Sequence, residues 1–142
     1  MFPFSWSFRD WFQAFVVFSV GLLLGMAIWW TSPVLTGHEE PWDAEGRYYV
    51  WALFVAGAVA TVFLLKAFWV APIGVYIGQL VYGLYLYEPA SASMWPLGMV
   101  LAVFYSLAAL AGALACAVLL WLIGLPIRVA TFFLRRPGQS KA

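Results

Sequence analysis

The chain has 142 residues, of which 65% are hydrophobic, 20% are aromatic and only 9% carry a charge. Soluble domains carry about 25% charged residues, so this composition excludes an ordinary soluble globular protein. With a mean hydropathy of +0.93, the chain has too little polar surface to cover its apolar side chains in water. We therefore expect the lipid bilayer to be its solvent and residues 1–142 to form a single membrane domain.

Four apolar runs are candidates for membrane-spanning helices, which need about 20 residues each. They cover residues 11–30, 48–69, 72–87 and 96–124. The first run ends at the helix-breaking segment Thr31-Ser32-Pro33, an exit unlike a signal-peptide cleavage site, so we expect this run to be kept as an anchor. The predicted fold is an all-α integral membrane protein with a four-transmembrane-helix bundle.

The connections and the two ends complete this layout. Only Val70 and Ala71 separate the second run from the third, which predicts a tight hairpin with Pro72 in the first turn of the new helix. The aromatic segment 1–10 is predicted to lie in the headgroup layer. An interfacial helix is predicted over residues 125–136, after Pro126, and residues 137–142 are predicted to be a free tail.

The charged residues predict the orientation of the chain in the membrane. When the runs alternate in direction, one side carries six of the seven basic residues, which are Arg9, Lys66, Arg128, Arg135, Arg136 and Lys141. The other side carries the acids Glu39, Glu40, Asp43, Glu45 and Glu88. Because basic residues favour the cytoplasmic side, both termini are predicted to be cytoplasmic. The tryptophans fall near the ends of the runs, and Trp29, Trp42, Tyr48 and Tyr49 are interpreted as residues of the outer aromatic belt.

Every run carries small residues four positions apart, a spacing that lets helices approach closely in lipid. In the second run these are Ala52, Ala56 and Ala60; in the other three they include Gly21, Gly25, Gly74, Gly78, Ala108 and Gly112. The simpler interpretation is packing within one chain. The alternative is that Gly21 and Gly25 face another subunit, so a membrane-protein partner or a homo-oligomer stays open.

Several chemistries lack the residues that they require. No run carries a charged residue deeper than Lys66, which argues against proton-coupled transport of the small multidrug-resistance type. A single histidine, His38, and a single cysteine, Cys116, argue against transmembrane haem and against disulfide exchange. We predict no catalytic residue, no cofactor and no nucleic-acid partner.

The acidic segment 36–49 allows three interpretations. His38, Glu39 and Asp43 could offer nitrogen and oxygen ligands to a divalent metal ion, although no metal motif with fixed spacing is present. A structural interpretation makes Pro41 the first residue of a helix, with the acids near the positive end of its dipole. The third interpretation is a docking site for a partner.

A polar stripe marks the third run. Tyr76, Gln79 and Tyr82 recur three residues apart, and Tyr105 and Ser106 of the fourth run are expected to face them. Such groups are costly to expose to lipid. They form either a hydrogen-bond network between helices or a cavity for a lipid headgroup, a quinone or a small polar solute.

Residues 35 to about 120 carry the segments T-G-H-E-E-P-W-D-A, A-P-I-G-V-Y-I-G-Q-L-V-Y and W-P-L-G. This stretch resembles a group of small, uncharacterised bacterial inner-membrane proteins. The resemblance implies four membrane spans and a location in the bacterial inner membrane, and it implies no activity.

Two hypotheses of function follow from the sequence. The preferred one is a non-enzymatic accessory or assembly subunit of a membrane complex, which would contact its partner through a small-residue stripe or the acidic segment. The alternative is a small transporter or channel, as a monomer or a homodimer, that uses the polar stripe of the third run.

Overall fold

The computed structural model describes residues 7–44, 47–62, 67–86 and 95–134. Within these ranges the protein is all-helical, with four α-helices and no strand. They are α1 (Phe8–Thr36), α2 (Arg47–Thr61), α3 (Val70–Tyr85) and α4 (Trp95–Leu134). This confirms the all-α prediction; residues 1–6 and 135–142 of the predicted end segments lie outside the described residues.

Helix α1 is bounded by clear capping signals. The Ser7 hydroxyl accepts a hydrogen bond from the backbone N–H of Asp10, whose carboxylate accepts one from the N–H of Ser7. The helix continues past the expected break at residues 31–33, because the proline removes only one backbone hydrogen bond. It ends at Gly37, whose left-handed conformation (φ 76°) lets its N–H donate to the carbonyl of Pro33, a cap that favours glycine.

Helix α2 begins at Arg47 rather than at Pro41, and it ends at Thr61. Residues 41–44 form a turn, in which the N–H of Asp43 donates to the carbonyl of Glu40. The interpretation of Pro41 as the start of a helix capped by acids is therefore wrong. The physical reason is burial, since Glu40, Pro41 and Ala44 are all buried in or beside this turn.

Helix α3 has Pro72 in its first turn, as expected, where a missing N–H leaves no bond unmade. It packs mainly on α1, while α2 packs mainly on α4, and α2 and α3 contact each other little. Val70 and Ala71, which were expected to form the turn of a tight hairpin, lie within α3 itself, so the turn is not at these two residues. Residues 63–66, which include Lys66, lie outside the described residues.

Helix α4 has 40 residues, a length of about 60 Å at 1.5 Å per residue. It runs without interruption through Pro126 to Leu134, so residues 125–134 continue the fourth helix and do not form a separate interfacial helix. One proline removes a single backbone hydrogen bond, which a long helix can tolerate.

The main helix contacts are made backbone to backbone at glycines. On the α1–α3 face, a Cβ atom added at Gly25, Gly74 or Gly78 would overlap a backbone carbonyl oxygen of the other helix. A Cβ at Gly21 would come within 2.8 Å of the Ala71 carbonyl oxygen. The stripe of Gly21 and Gly25 is thus covered by α3 of the same chain, not by another subunit.

The α2–α4 face repeats this arrangement. A Cβ atom at Gly57 would overlap the Ala109 carbonyl oxygen, and one at Gly112 would overlap that of Phe54. Ala108 is half-buried and packs against the cluster formed by Ile28, Tyr49, Leu53, Ala56, Val75 and Ala109. Since no side chain separates the two backbones, these faces bring the helix axes as close as the chain permits.

Two of the helical segments, Phe8–Thr36 and Pro96–Gly124, are long and apolar enough to cross a membrane. Helix α3 is also apolar but shorter. Length and composition thus support membrane association through these two segments.

Candidate functional site

Five aromatic rings gather where the end of α1, the start of α2, the end of α3 and the start of α4 meet. The Trp29 and Trp42 ring centroids are 4.7 Å apart and nearly perpendicular, and those of Tyr49 and Tyr105 are 5.0 Å apart. Tyr82 lies 5.9 Å from Trp29. We call these five residues the aromatic cluster; it joins all four helices and the segment between α1 and α2.

Gln79 of α3 is the buried polar group of this region. Its side chain has no exposed surface, and its Oε1 accepts a hydrogen bond from the Tyr49 hydroxyl. Its Nε2 is buried and has no hydrogen-bond partner among the described residues. A buried donor without a partner costs about 1–3 kcal/mol, so native structures seldom contain one without a reason.

The Tyr49–Gln79 hydrogen bond also has a structural role. It links α2 to α3, the two consecutive helices that otherwise contact each other little. Tyr49 is fully buried and continues the face of α2 that carries Leu53, Ala56 and Ala60. The helical spacing of these four residues places the Tyr49 ring on the buried face of α2. From there its hydroxyl reaches Gln79.

The segment between α1 and α2 is folded onto the ends of the helices. The Ser32 hydroxyl donates to the carbonyl of His38 at 2.9 Å, and the N–H of His38 donates to the Thr36 hydroxyl at 3.1 Å. Beyond it, the Trp42 indole N–H donates to the Glu40 carboxylate at 2.9 Å. The Trp42 ring lies directly on the backbone of α4, where a Cβ at Gly98 would overlap it.

The three metal candidates are not brought together. His38, Glu39 and Asp43 are exposed. In the described part of the chain, no group of three or more histidine, cysteine or acidic residues is placed to hold a metal ion. Among the described acids of this segment Glu40 is buried, and it accepts from the Trp42 indole.

The polar stripe is divided by the fold. Gln79 is buried, Tyr76 and Tyr82 are half-buried, and Tyr105 lies at the exposed margin with its ring on Tyr49. Ser106 is buried, but its hydroxyl donates to the Ala102 carbonyl of its own helix at 2.7 Å. Gln79, Tyr82 and Tyr105 therefore belong to one site, and Ser106 is satisfied within α4.

Sequence reasoning missed Trp29, Trp42 and Tyr49, which it interpreted as belt residues. For Tyr49 a signal was present, because it lies at helical spacing from Leu53, Ala56 and Ala60. Aromatic residues near the end of a membrane run fit a belt equally well, and that interpretation hid the cluster.

An apolar groove lies at the opposite end of α1 and α3. It encloses about 530 Å³ and is lined by Trp11, Ala14, Phe15, Phe18, Trp69 and Val70. Its size is within the range of ligand pockets, but these lining side chains offer mainly carbon surface. The groove could hold a hydrocarbon chain and does little to orient a polar molecule.

Comparison of the chain with protein families, with curated proteins and with solved structures finds no match. The resemblance to a group of bacterial inner-membrane proteins therefore stays a prediction.

Proposed function

We propose that this protein is a multi-pass protein of the bacterial inner membrane that acts as a non-enzymatic accessory or assembly subunit of a membrane complex. In this proposal all four helices cross the membrane as a bundle, and both termini are cytoplasmic. The lipid bilayer and one membrane-protein partner are its binding partners.

The directions of the helices support this arrangement. Contacts of Phe18 with Gly74 and of Leu22 with Gly78 run in the same order along α1 and α3, so the two helices are parallel. If each helix crosses the membrane in the direction opposite to the one before it, the first and third helices are parallel, as these contacts require. Helices α2 and α3 have 15 and 16 residues, about 22–24 Å, so adjacent residues or local thinning of the bilayer would complete their spans.

The observation that carries the proposal is the exposure of α4. In the most apolar stretch of 18 residues in α4, only 17% is buried inside the protein, whereas 28% of the corresponding stretch of α1 is buried. Ala113 is buried, but the large apolar side chains beyond it project outward; they are Leu114, Val118, Leu119, Trp121, Leu122 and Ile123. The second half of α4 thus presents a long apolar surface.

Small residues on this surface favour a helix over lipid as the occupant. Ala111 and Ala115 are both exposed and lie four residues apart, the spacing that admits the backbone of a second helix. The small residues of the α1–α3 and α2–α4 faces are used within the chain, whereas these two are not. We expect a partner helix to pack along Ala111, Ala115 and Val118.

Photo-crosslinking in native membranes tests the proposal. A photoreactive residue at position 115 should yield an adduct with one other protein, which should copurify in stoichiometric amount in mild detergent. The matched control is position 55, since Val55 is 53% exposed on α2 and should give lipid adducts. Lipid adducts alone at both positions, or an adduct with a second copy of this chain, would overturn the accessory role.

A second candidate, a small transporter or channel, is favoured by the buried and unpartnered Nε2 of Gln79. Liposomes containing the protein should then show increased permeability to glycerol or urea in stopped-flow light scattering. The Gln79→Leu variant should abolish that increase. Permeability equal to that of empty liposomes rejects this candidate.

A further inference from the structure

The buried amide of Gln79 points to a binding site in the aromatic cluster. The Tyr49 hydroxyl occupies its Oε1, while Nε2 has no partner among the side chains and backbone that the structure describes. An N–H donor in a dry, aromatic environment calls for an acceptor oxygen. Since the Glu40 carboxylate is buried and bonded to the Trp42 indole, a neutral acceptor such as a carbonyl is favoured over an anion.

The Trp42 ring shows what shape of molecule the site takes. It is nearly perpendicular to the rings of Trp29 and Tyr49, with centroid distances of 4.7 and 6.3 Å. The ring fits against α4 because Gly98 has no side chain there. We call Trp29, Tyr49 and Gly98 the ring seat. Tyr49 connects the seat to the amide, because its ring faces Trp42 and its hydroxyl bonds to Gln79.

Trp42 is not part of a helix, although its ring packs on residues of three of them, Trp29, Tyr49 and Gly98. It belongs to the turn 41–44, and its indole N–H donates to Glu40 of the same segment rather than to a helix. Its side chain is only half-buried. A rearrangement of this turn would vacate the seat while the Ser32 bond to the His38 carbonyl holds the start of the segment.

We propose that the ring seat binds a neutral planar ring bearing carbonyl oxygens, of the quinone class, which replaces the Trp42 indole and accepts a hydrogen bond from Gln79 Nε2. The seat supplies edge and face contacts to the ring. Gln79 supplies the polar contact that orients it. This site is separate from the exposed face of α4, so it can fail or succeed independently of the accessory role.

Side-chain NMR of glutamine provides a direct test, because the chain has only three glutamines, Gln13, Gln79 and Gln139. The protein is labelled with ¹⁵N at the glutamine amides, placed in detergent micelles and titrated with duroquinone. The Gln79 signal, assigned through Gln79→Leu, should shift in a saturable way. The Gln13 signal, from a half-buried residue of α1, should not move.

Removing the competing ring should strengthen binding. Trp42→Ala should lower the apparent Kd for duroquinone by about tenfold or more, since the binding-competent state is no longer a minor population. Trp51→Ala is the matched control, because Trp51 is 63% exposed and packs on Phe54 outside the seat; it should leave Kd unchanged.

A second probe, a quinone with a ten-carbon tail, shows whether the natural ligand is a quinone dissolved in the bilayer or a free aromatic compound. Tighter binding than that of duroquinone identifies a quinone of the bilayer, and equal binding identifies a free aromatic carbonyl compound. No saturable shift of Gln79, or a parallel shift of Gln13 that indicates partition into the micelle, overturns the proposal. If Trp42→Ala does not fold, the titration of the unaltered protein decides alone.

Discussion

Gly57 lies where the backbone of α2 meets the backbone of α4, and replacing it with alanine is expected to separate the two helices. The added Cβ would overlap the carbonyl oxygen, carbon and Cα of Ala109. All three are backbone atoms, so no side-chain rotation can relieve the clash. Overpacking of this kind costs about 1–3 kcal/mol, while alanine gains about 1 kcal/mol over glycine in helix propensity. The net loss therefore lies between about 0 and 2 kcal/mol, and because the clash is with backbone atoms we expect it near the upper end, about 2 kcal/mol.

Reversible unfolding in mixed micelles, followed by circular dichroism as the fraction of denaturing detergent is raised, measures this loss. Gly124→Ala is the matched control, because no neighbouring atom of the described residues lies within 4 Å of a Cβ at Gly124; it should be neutral or slightly more stable. If Gly57→Ala unfolds at the same detergent fraction as the unaltered protein, the backbone contact between α2 and α4 is not what holds them together.

Three further predictions use the same unfolding measurement. Tyr49→Phe should destabilise the protein by about 1–3 kcal/mol, because it leaves Gln79 Oε1 without its partner. The double variant Tyr49→Phe with Gln79→Leu should recover most of this loss. If the losses of the two single variants add instead, the two side chains are not paired. Gly37→Ala should cost about 1 kcal/mol, since φ is 76° there, and an unchanged midpoint would refute the cap. Ser7→Ala should cost about 1 kcal/mol and speed hydrogen exchange in the first turn of α1, and unaltered exchange would show that the capping box is not needed.

Local chemistry explains which parts of the fold were predictable. Apolar runs with few charges predict helices whatever their neighbours, and all four were found near their expected positions. The ends were less predictable. Pro33 was interpreted as the end of a helix, but α1 continues through it to Thr36. Pro41 was interpreted as the start of a helix, but it is buried and lies in a turn.

The candidate site was only partly predictable. Gln79 and Tyr82 were singled out because polar residues at helical spacing are unusual in an apolar run, and the structure places both at the aromatic cluster. Trp29 and Trp42 were assigned to the membrane belt. Their true neighbours come from other elements of the chain, so no local pattern could reveal the contact.

The sequence by itself determined that the chain is helical, that it is too apolar for water and that its helices can approach closely at small residues. It could not determine which helices pair, because every run carries small residues four apart and each could pair with any other. Only the tertiary structure decided that α1 packs on α3 and α2 on α4. The physical reason is that close packing depends on the match between two backbones, whereas the residues of one helix describe only its own side of the contact.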